Sequence, residues 1–361
     1  MTPATERRIA LVLGGGGLKG FAHVGVLRAL QERGVVPHLL AGTSIGALIA
    51  AAQAGGMTWE EMSQRAQSLR RRDLFRINHV GMLLERMRSP ALYLEEPLRF
   101  LCESVSPAGR FKDLPVRLMV NTVDIVTGSQ VVWGTPGFQD VTIADAVYAS
   151  CALPGFYPPG IVGGRTCVDG GVIDNLPASI AALGMDAVIA VDVGNSDLSH
   201  RDDIVQQGFA NIYMRAATVM MHALQQVPLT SWNGPPMILI RPRVAHLDWF
   251  NFTHTREIID EGYRAAVEAL ERIDEHLSAP GGVFPRRTVR ISVDRERCTG
   301  CGLCVALEPG VMALDAARKA YPIEREFNWS PANGAFVYQC PTGAIRKERL
   351  TPVSVRTISA A

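Results

Sequence analysis

Ile9-Ala-Leu-Val-Leu-Gly14-Gly-Gly-Gly-Leu-Lys-Gly20 is the stretch from which the fold can be read. An apolar run of five residues stops at a glycine cluster, and residues 21–33 then carry a helical pattern that Gly34 closes. Strand, glycine loop and helix in that order aim backbone N–H groups at an anion, because a helix N-terminus leaves its first amides unpaired and carries partial positive charge. Gly15, Gly17 and Gly20 match the dinucleotide fingerprint, which wants an acid at the end of the next strand to hold a ribose. That position reads Ala41-Gly-Thr-Ser44 instead. A nucleotide P-loop requires Gly-Lys-Ser/Thr, whereas this chain has Lys19-Gly-Phe21.

Outward from this loop, short Val/Ile/Leu-rich runs at 35–41, 116–120, 187–193 and 237–240 alternate with longer helix-patterned stretches. That alternation predicts a mostly parallel sheet covered by helices, an α/β fold. Val205, Phe209, Ile212, Ala216, Val219 and Ala223 recur at helical spacing within 203–226, and the pattern predicts a helix packing that stripe into the core. Val267, Leu270, Ile273 and Leu277 form a similar stripe, followed by the Pro/Gly-rich run 278–285. With 361 residues the chain suits one large domain and a small one. The expected division is 1–277, a linker at 278–287, and 288–361.

Lys and Arg total 36 against 35 for Asp and Glu, so no global field draws in nucleic acid or an anionic membrane. The apolar run 9–13 is too short for a signal or spanning segment, and the longest low-polarity stretch, 39–56, is broken by Gly42, Thr43, Ser44 and Gly46. A cytoplasmic protein is expected, peripheral at most to the inner face of the membrane.

Gly42-Thr-Ser-Ile-Gly46 lies between a strand pattern and the helical pattern of 47–54. A nucleophile elbow presents serine at such a turn, and small residues two before and two after let the backbone fold tightly. A plain helix N-cap by Ser44 or Thr43 is the alternative. Serine needs a base, and a tetrahedral intermediate needs donors for its oxyanion; Gly15, Gly16 and Gly17 are candidate donors. His23 and His38 fall within a helix and a strand pattern and read as structural. Asp169, in Val168-Asp-Gly-Gly-Val172, is the candidate base, although Asp-Gly alone is also a common turn.

Taken together these residues resemble the patatin-like phospholipases, over about residues 8–277. Gly15 to Gly20 is similar to that family's oxyanion loop, Gly42 to Gly46 to its elbow, and Asp169-Gly170-Gly171 to its Asp-Gly-Gly/Ala motif. Ala149-Ser-Cys-Ala-Leu-Pro154, Phe156-Tyr-Pro-Pro159 and Asn175-x-Pro177 follow in the family's order. The resemblance implies a three-layer α/β/α fold, a Ser44–Asp169 dyad in place of a triad, and a lipid ester as substrate. An Asp is a weak base for a serine hydroxyl unless burial raises its pKa, so the oxyanion loop is expected to carry much of the catalysis.

Residues 65–88 hold Arg65, Arg70, Arg71, Arg72, Arg76, Arg86 and Arg88 among apolar side chains. This mixture suits a cap over an acyl site that touches anionic headgroups, and equally a solvated face or a protein contact.

Of the seven cysteines, four sit late in the chain, Cys298-x-x-Cys301-x-x-Cys304 and then Cys340-Pro341. Chance would give the triplet roughly 0.003 times. The segment 288–349 resembles the bacterial ferredoxins, whose three clustered thiolates and a distant Cys-Pro hold one cubane. Structural zinc, the alternative, more often uses separated Cys-x2-Cys pairs. Glu308 stands where a second cluster's cysteine would be, so one 4Fe-4S cluster is implied, with a redox partner protein. The rival to a hydrolase is a redox or iron-responsive regulator whose first domain binds lipid without turnover.

Overall fold

Ile9–Leu13 (β1) is buried along its whole length. Ile9, Leu11 and Leu13 share an apolar cluster with Leu40, Leu118, Ile189 and Ile238, while Ala10 and Val12 are buried on the alternate face. Successive side chains of a strand point to opposite faces, so this sheet is covered on both sides. A computed structural model describes residues 7–78, 91–194, 204, 206, 208–247, 249 and 252–350.

After β1 come Ala22–Glu32 (α1), Leu39–Thr43 (β2), Ile45–Ala54 (α2), Trp59–Ser68 (α3), Glu95–Val105 (α4), Arg117–Asp124 (β3), Ser129–Trp133 (β4) and Ile143–Cys151 (α5). They are followed by Gly160–Val162 (β5), Arg165–Asp169 (β6), Ala178–Ala181 (α6), Ala187–Val191 (β7), Phe209–Thr230 (α7), Met237–Ile240 (β8), Thr255–Ala269 (α8) and Ile273–Leu277 (α9). The sheet runs β5-β6-β3-β2-β1-β7-β8, and β4 also pairs with β3. The five strands from β3 to β8 are parallel to one another, whereas β4, β5 and β6 pair antiparallel. This is the mostly parallel, helix-flanked sheet that the alternating pattern predicts.

The chain changes direction across the sheet at β1, whose neighbours are β2 and β7. In open α/β sheets the crevice at such a switch, beyond the carboxyl ends of the strands, is where ligands bind. Here the glycine loop leaves β1 and Ser44 leaves β2, with Leu13 in register with Gly42.

One expectation fails. Within α7, Ile212, Ala216, Val219 and Ala223 are exposed, and the buried positions are Thr218, Gln225 and Leu229. Helical periodicity reports that an apolar face exists, but which face meets the core depends on what packs against it. Val205 lies outside the described residues, as do 79–90 with Arg86 and Arg88. His38 also differs, being exposed one residue before β2.

The chain divides into two compact units, Met1–Gly282 and Val283–Ala361. The second contains Val283–Phe284 (β9), Arg287–Val293 (β10), Leu303–Leu307 (α10), Met312–Leu314 (β11), Ala320–Pro322 (β12), Glu326–Trp329 (β13) and Ile345–Arg349 (β14). β10 pairs antiparallel with β13 and β14, and β11 with β12, around a small core of Val289, Ile291, Met312, Trp329, Phe336 and Ile345.

Candidate active site

Ser44 stands alone between the last residue of β2 and the first of α2, at φ 56° and ψ −127°. A positive φ strains a residue with a Cβ by about 1–3 kcal/mol and persists only where the surroundings enforce it. Two glycines permit the turn. A Cβ on Gly42 would lie 2.4 Å from the Gly46 carbonyl carbon, and one on Gly46 only 2.0 Å from the Leu13 oxygen.

The strain is held by a polar brace. The Ser44 N–H donates to Ser150 Oγ at 2.8 Å, and that hydroxyl donates to the Asn121 carbonyl at 2.7 Å. Asn121 Nδ2 in turn reaches Thr43 Oγ1 at 3.2 Å and the Asp174 carbonyl at 2.6 Å, tying the elbow to the turn after β6. Sequence reasoning gave no role to Asn121 or Ser150. Their signal was polarity, since both are fully buried in apolar elements.

Asp169 ends β6, and its carboxylate accepts the Gly171 amide at 2.8 Å and shares the wall of one cavity with Ser44. Burial pushes its pKa up from the usual carboxylate range to about 6, against the lowering effect of the Ser44 hydroxyl and the Gly171 amide. A carboxylate in that condition is a better proton acceptor near neutral pH than one in water. The Gly-Gly that follows is sterically required, because a Cβ on Gly170 would sit 2.5 Å from Asn121 Nδ2 and one on Gly171 2.7 Å from the Met221 methyl.

The glycine loop lies beside the elbow, with the Cβ position of Gly15 only 3.2 Å from Ser44 Cβ. Gly20 is pressed against Ile45, where a Cβ would fall 2.2 Å from Cγ2. Gly15 departs from its expected part. Its N–H donates to the Asn175 carbonyl at 3.1 Å, and its carbonyl accepts Asn175 Nδ2 at 3.0 Å, so this amide is committed within the protein. Gly16 and Gly17 carry the next two amides, at the start of the 3-10 turn Gly17–Phe21. Behind the loop, His23 Nε2 meets the Gly14 carbonyl at 2.8 Å. Burial drops the His23 pKa to about 4, so the ring is neutral, and because a carbonyl only accepts, Nε2 carries its proton. Lys19 is 1% exposed with its Nζ 5.6 Å from the Trp249 ring centre; it places a buried amine in the loop, which the sequence reading used only to exclude a P-loop.

Ser44 and Asp169 open onto a cavity of about 130 Å³. Ile45, Leu48, Ile49 and Ala52 form its wall along α2, faced by Met62 and Ala66 of α3 and Leu98 and Leu101 of α4. Leu69, Leu74 and Phe75 of the basic stretch also line it, as does Arg65. The cavity can take an aliphatic chain, with a hydroxyl and a carboxylate waiting at its wall.

In the second unit, Cys298, Cys301, Cys304 and Cys340 line one cavity. Gly300 and Gly302 have φ of 73° and 80° and turn the loop so that Cys298 and Cys304 are buried while Cys301 stays exposed at the cavity's edge. The Ala320 amide points at Cys298 Sγ at 3.5 Å. Burial raises the Cys340 thiol, but the Thr342 hydroxyl and the amides of Thr342, Ala344 and Ile345 outweigh it and hold the pKa below its ordinary value. Sulfurs met by N–H and O–H donors suit bound thiolates. Among the described residues no three His, Cys, Asp or Glu side chains converge closely enough for a single metal ion. A cubane asks for less convergence, since each thiolate takes a separate iron corner.

A strained serine on a strand-to-helix elbow, a buried carboxylate on the wall of the same cavity and a glycine loop beside them lie within a mostly parallel, helix-flanked sheet. Residues 11–182 match the family model of patatin-like phospholipases and residues 291–333 that of a 4Fe-4S single cluster domain. An uncharacterized NTE family protein of Mycobacterium tuberculosis is 37% identical over 197 residues, covering 54% of this chain and 51% of that protein. Lysophospholipase NTE1 of Pyricularia oryzae is 27% identical over 303 residues, 76% of this chain and 19% of that protein. The chain thus spans about half or less of these relatives. Among solved structures, VipD from Legionella pneumophila has a TM-score of 0.40 at 18% identity, covering 75% of this chain and 67% of that one.

Proposed function

We propose that the first unit is a serine acyl hydrolase acting on carboxylic esters of phospholipids, lysophospholipids or related lipids through a Ser44–Asp169 dyad. The observation that carries this reading is Ser44, strained at its elbow, on the wall of an aliphatic cavity that a buried Asp169 also lines. Ser44 Oγ attacks the ester carbon as Asp169 takes its proton, and the Gly16 and Gly17 amides receive the oxyanion. The alcohol leaves with that proton, and water then releases the acyl chain from Ser44. The lysophospholipase named among the relatives supports this substrate class. Arg70, Arg71 and Arg72 are exposed beside the cavity wall, which supports contact with anionic headgroups.

A fluorophosphonate probe tests the nucleophile directly, because its phosphorus is attacked by an activated serine with loss of fluoride. Labelling of the parent and none of Ser44→Ala is expected. Labelling that survives in Ser44→Ala would remove Ser44 from this role.

The base assignment makes a separate prediction. Asp169 must be ionised to accept a proton, so kcat/KM on a short soluble ester is expected to level off above about pH 6 and to fall tenfold per unit below it. A rate constant unchanged down to the ordinary carboxylate range would exclude Asp169 as base.

For the second unit the proposed cofactor is one 4Fe-4S cluster held by Cys298, Cys301, Cys304 and Cys340. Such a group supplies one-electron chemistry, while acyl transfer to water moves no electrons. Its work is therefore exchange with a redox partner protein or redox sensing, apart from the Ser44 reaction.

A further inference from the structure

The stripe that helical spacing assigned to the core lies on the outside of α7. Ile212, Tyr213, Val219, Met220, Leu224 and Val227 are 43, 38, 44, 57, 50 and 65% exposed. At 100° per residue they share an arc of about 140°. No exposed residue from Ile212 to Thr230 is charged. Soluble surfaces seldom leave so continuous an apolar face open without a use for it.

The opposite side of the same helix rests on the catalytic turn. Gln225 Oε1 accepts from Asn175 Nδ2 at 3.3 Å, and the Met221 methyl is the atom that a side chain on Gly171 would strike. Tyr213 lies 6.4 Å from the ring of Phe156, which lines the acyl cavity. The helix therefore joins the Asp169 turn on one face to open solvent on the other.

We propose that the outer face of α7 seats this protein on a phospholipid surface, bringing the Ser44–Asp169 site to the layer where its long-chain esters reside. The inference rests on the lipid-ester reading above and adds the surface that delivers the substrate. A second copy is the weaker occupant, because a stable dimer engages roughly 20–30 residues a side, and this face is a single helical stripe of fewer than ten. An interfacial helix instead sinks only its apolar face, about 5–10 Å into the headgroup boundary. The contact is apolar, so it differs from the basic stretch in needing no anionic lipid and in surviving high salt.

The test is flotation of the full chain with phosphatidylcholine vesicles, comparing the parent with the triple variant Met220→Ser, Leu224→Ser, Val227→Ser. The partition coefficient is expected to drop roughly tenfold or more, at low and high salt alike, while hydrolysis of a short soluble ester stays within about twofold. Equal partition of variant and parent overturns the proposal. A parent that sediments as a dimer and a variant that sediments as a monomer also overturns it, assigning the face to a second copy. Measuring flotation in Ser44→Ala keeps the two readings apart, since docking there does not depend on turnover.

Discussion

Replacing Ser44 with Ala is expected to cut kcat/KM for a soluble ester by about ten-thousandfold or more, and replacing Asp169 with Asn to do nearly as much. Members of one catalytic unit are strongly non-additive, so the double variant should be little worse than either single one. The two substitutions part company in stability. The Asp169 pKa of about 6 lies above the unfolded value near 3.8, so the native state binds more protons than the unfolded chain between those values. Stability linked to this group is therefore complete below about pH 3.8 and is lost as pH rises through about 6. Asp169→Asn keeps a neutral group there. It should be more stable than the parent at pH 7 to 8 by at most about 3 kcal/mol, a two-unit shift at 1.36 kcal/mol each, and no more stable near pH 4. Thermal melting of both proteins across this range checks the sign. A parent that is the more stable at pH 8 would mean that Asp169 is favoured as a carboxylate and is no burial-tuned base.

Cys301→Ser is expected to have the second large effect, confined to the second unit. Protein prepared without oxygen should contain close to four irons and four acid-labile sulfides, with a broad visible band that bleaches on reduction, and the variant should lose it. Below eighty residues a core rarely supplies more than about 3–5 kcal/mol, and the Val289, Ile291, Trp329 and Phe336 cluster is small. Losing one thiolate should then lower amide protection after Pro285 by about a hundredfold. Hydrolysis of a soluble ester should stay within about twofold, since the chemistry at Ser44 uses no electrons. Stoichiometric zinc without labile sulfide would refute the cluster, and an esterase rate that changes between oxidised and reduced protein would refute the independence of the two units.

Much of this was legible because it is local. The run 9–13, the glycines that must follow it and the Gly-x-Ser-x-Gly spacing each express a backbone geometry set within a few residues, and β1 and β8 fall at the expected positions. The cysteine triplet is likewise a local device, because one short loop presents three thiolates to one cavity. Even α3, which the apolar pattern passed over, carried a local sign in its capping box, where Thr58 and Glu61 bond each other's backbone amides. That helix went unread because it is mostly polar, whereas α4, the distant wall of the cavity, carries Leu98, Phe100, Leu101, Cys102 and Val105, a pattern the sequence reading did not take up.

Packing between remote segments decided the rest. Gly15 looks equivalent to Gly16 and Gly17 in sequence, yet Asn175, 160 residues later, claims its amide and its carbonyl. The basicity of Asp169 depends on burial where β6 packs against β3 and α5, and no spacing within Val168-Asp-Gly-Gly announces it. The stripe on α7 makes the same point in reverse. Periodicity of 3.6 residues established that one side of the helix is apolar, but hydrophobicity has no direction of its own. Only the contacts of Gln225 and Met221 with the catalytic turn determined that the more polar side faces inward and the apolar side faces out.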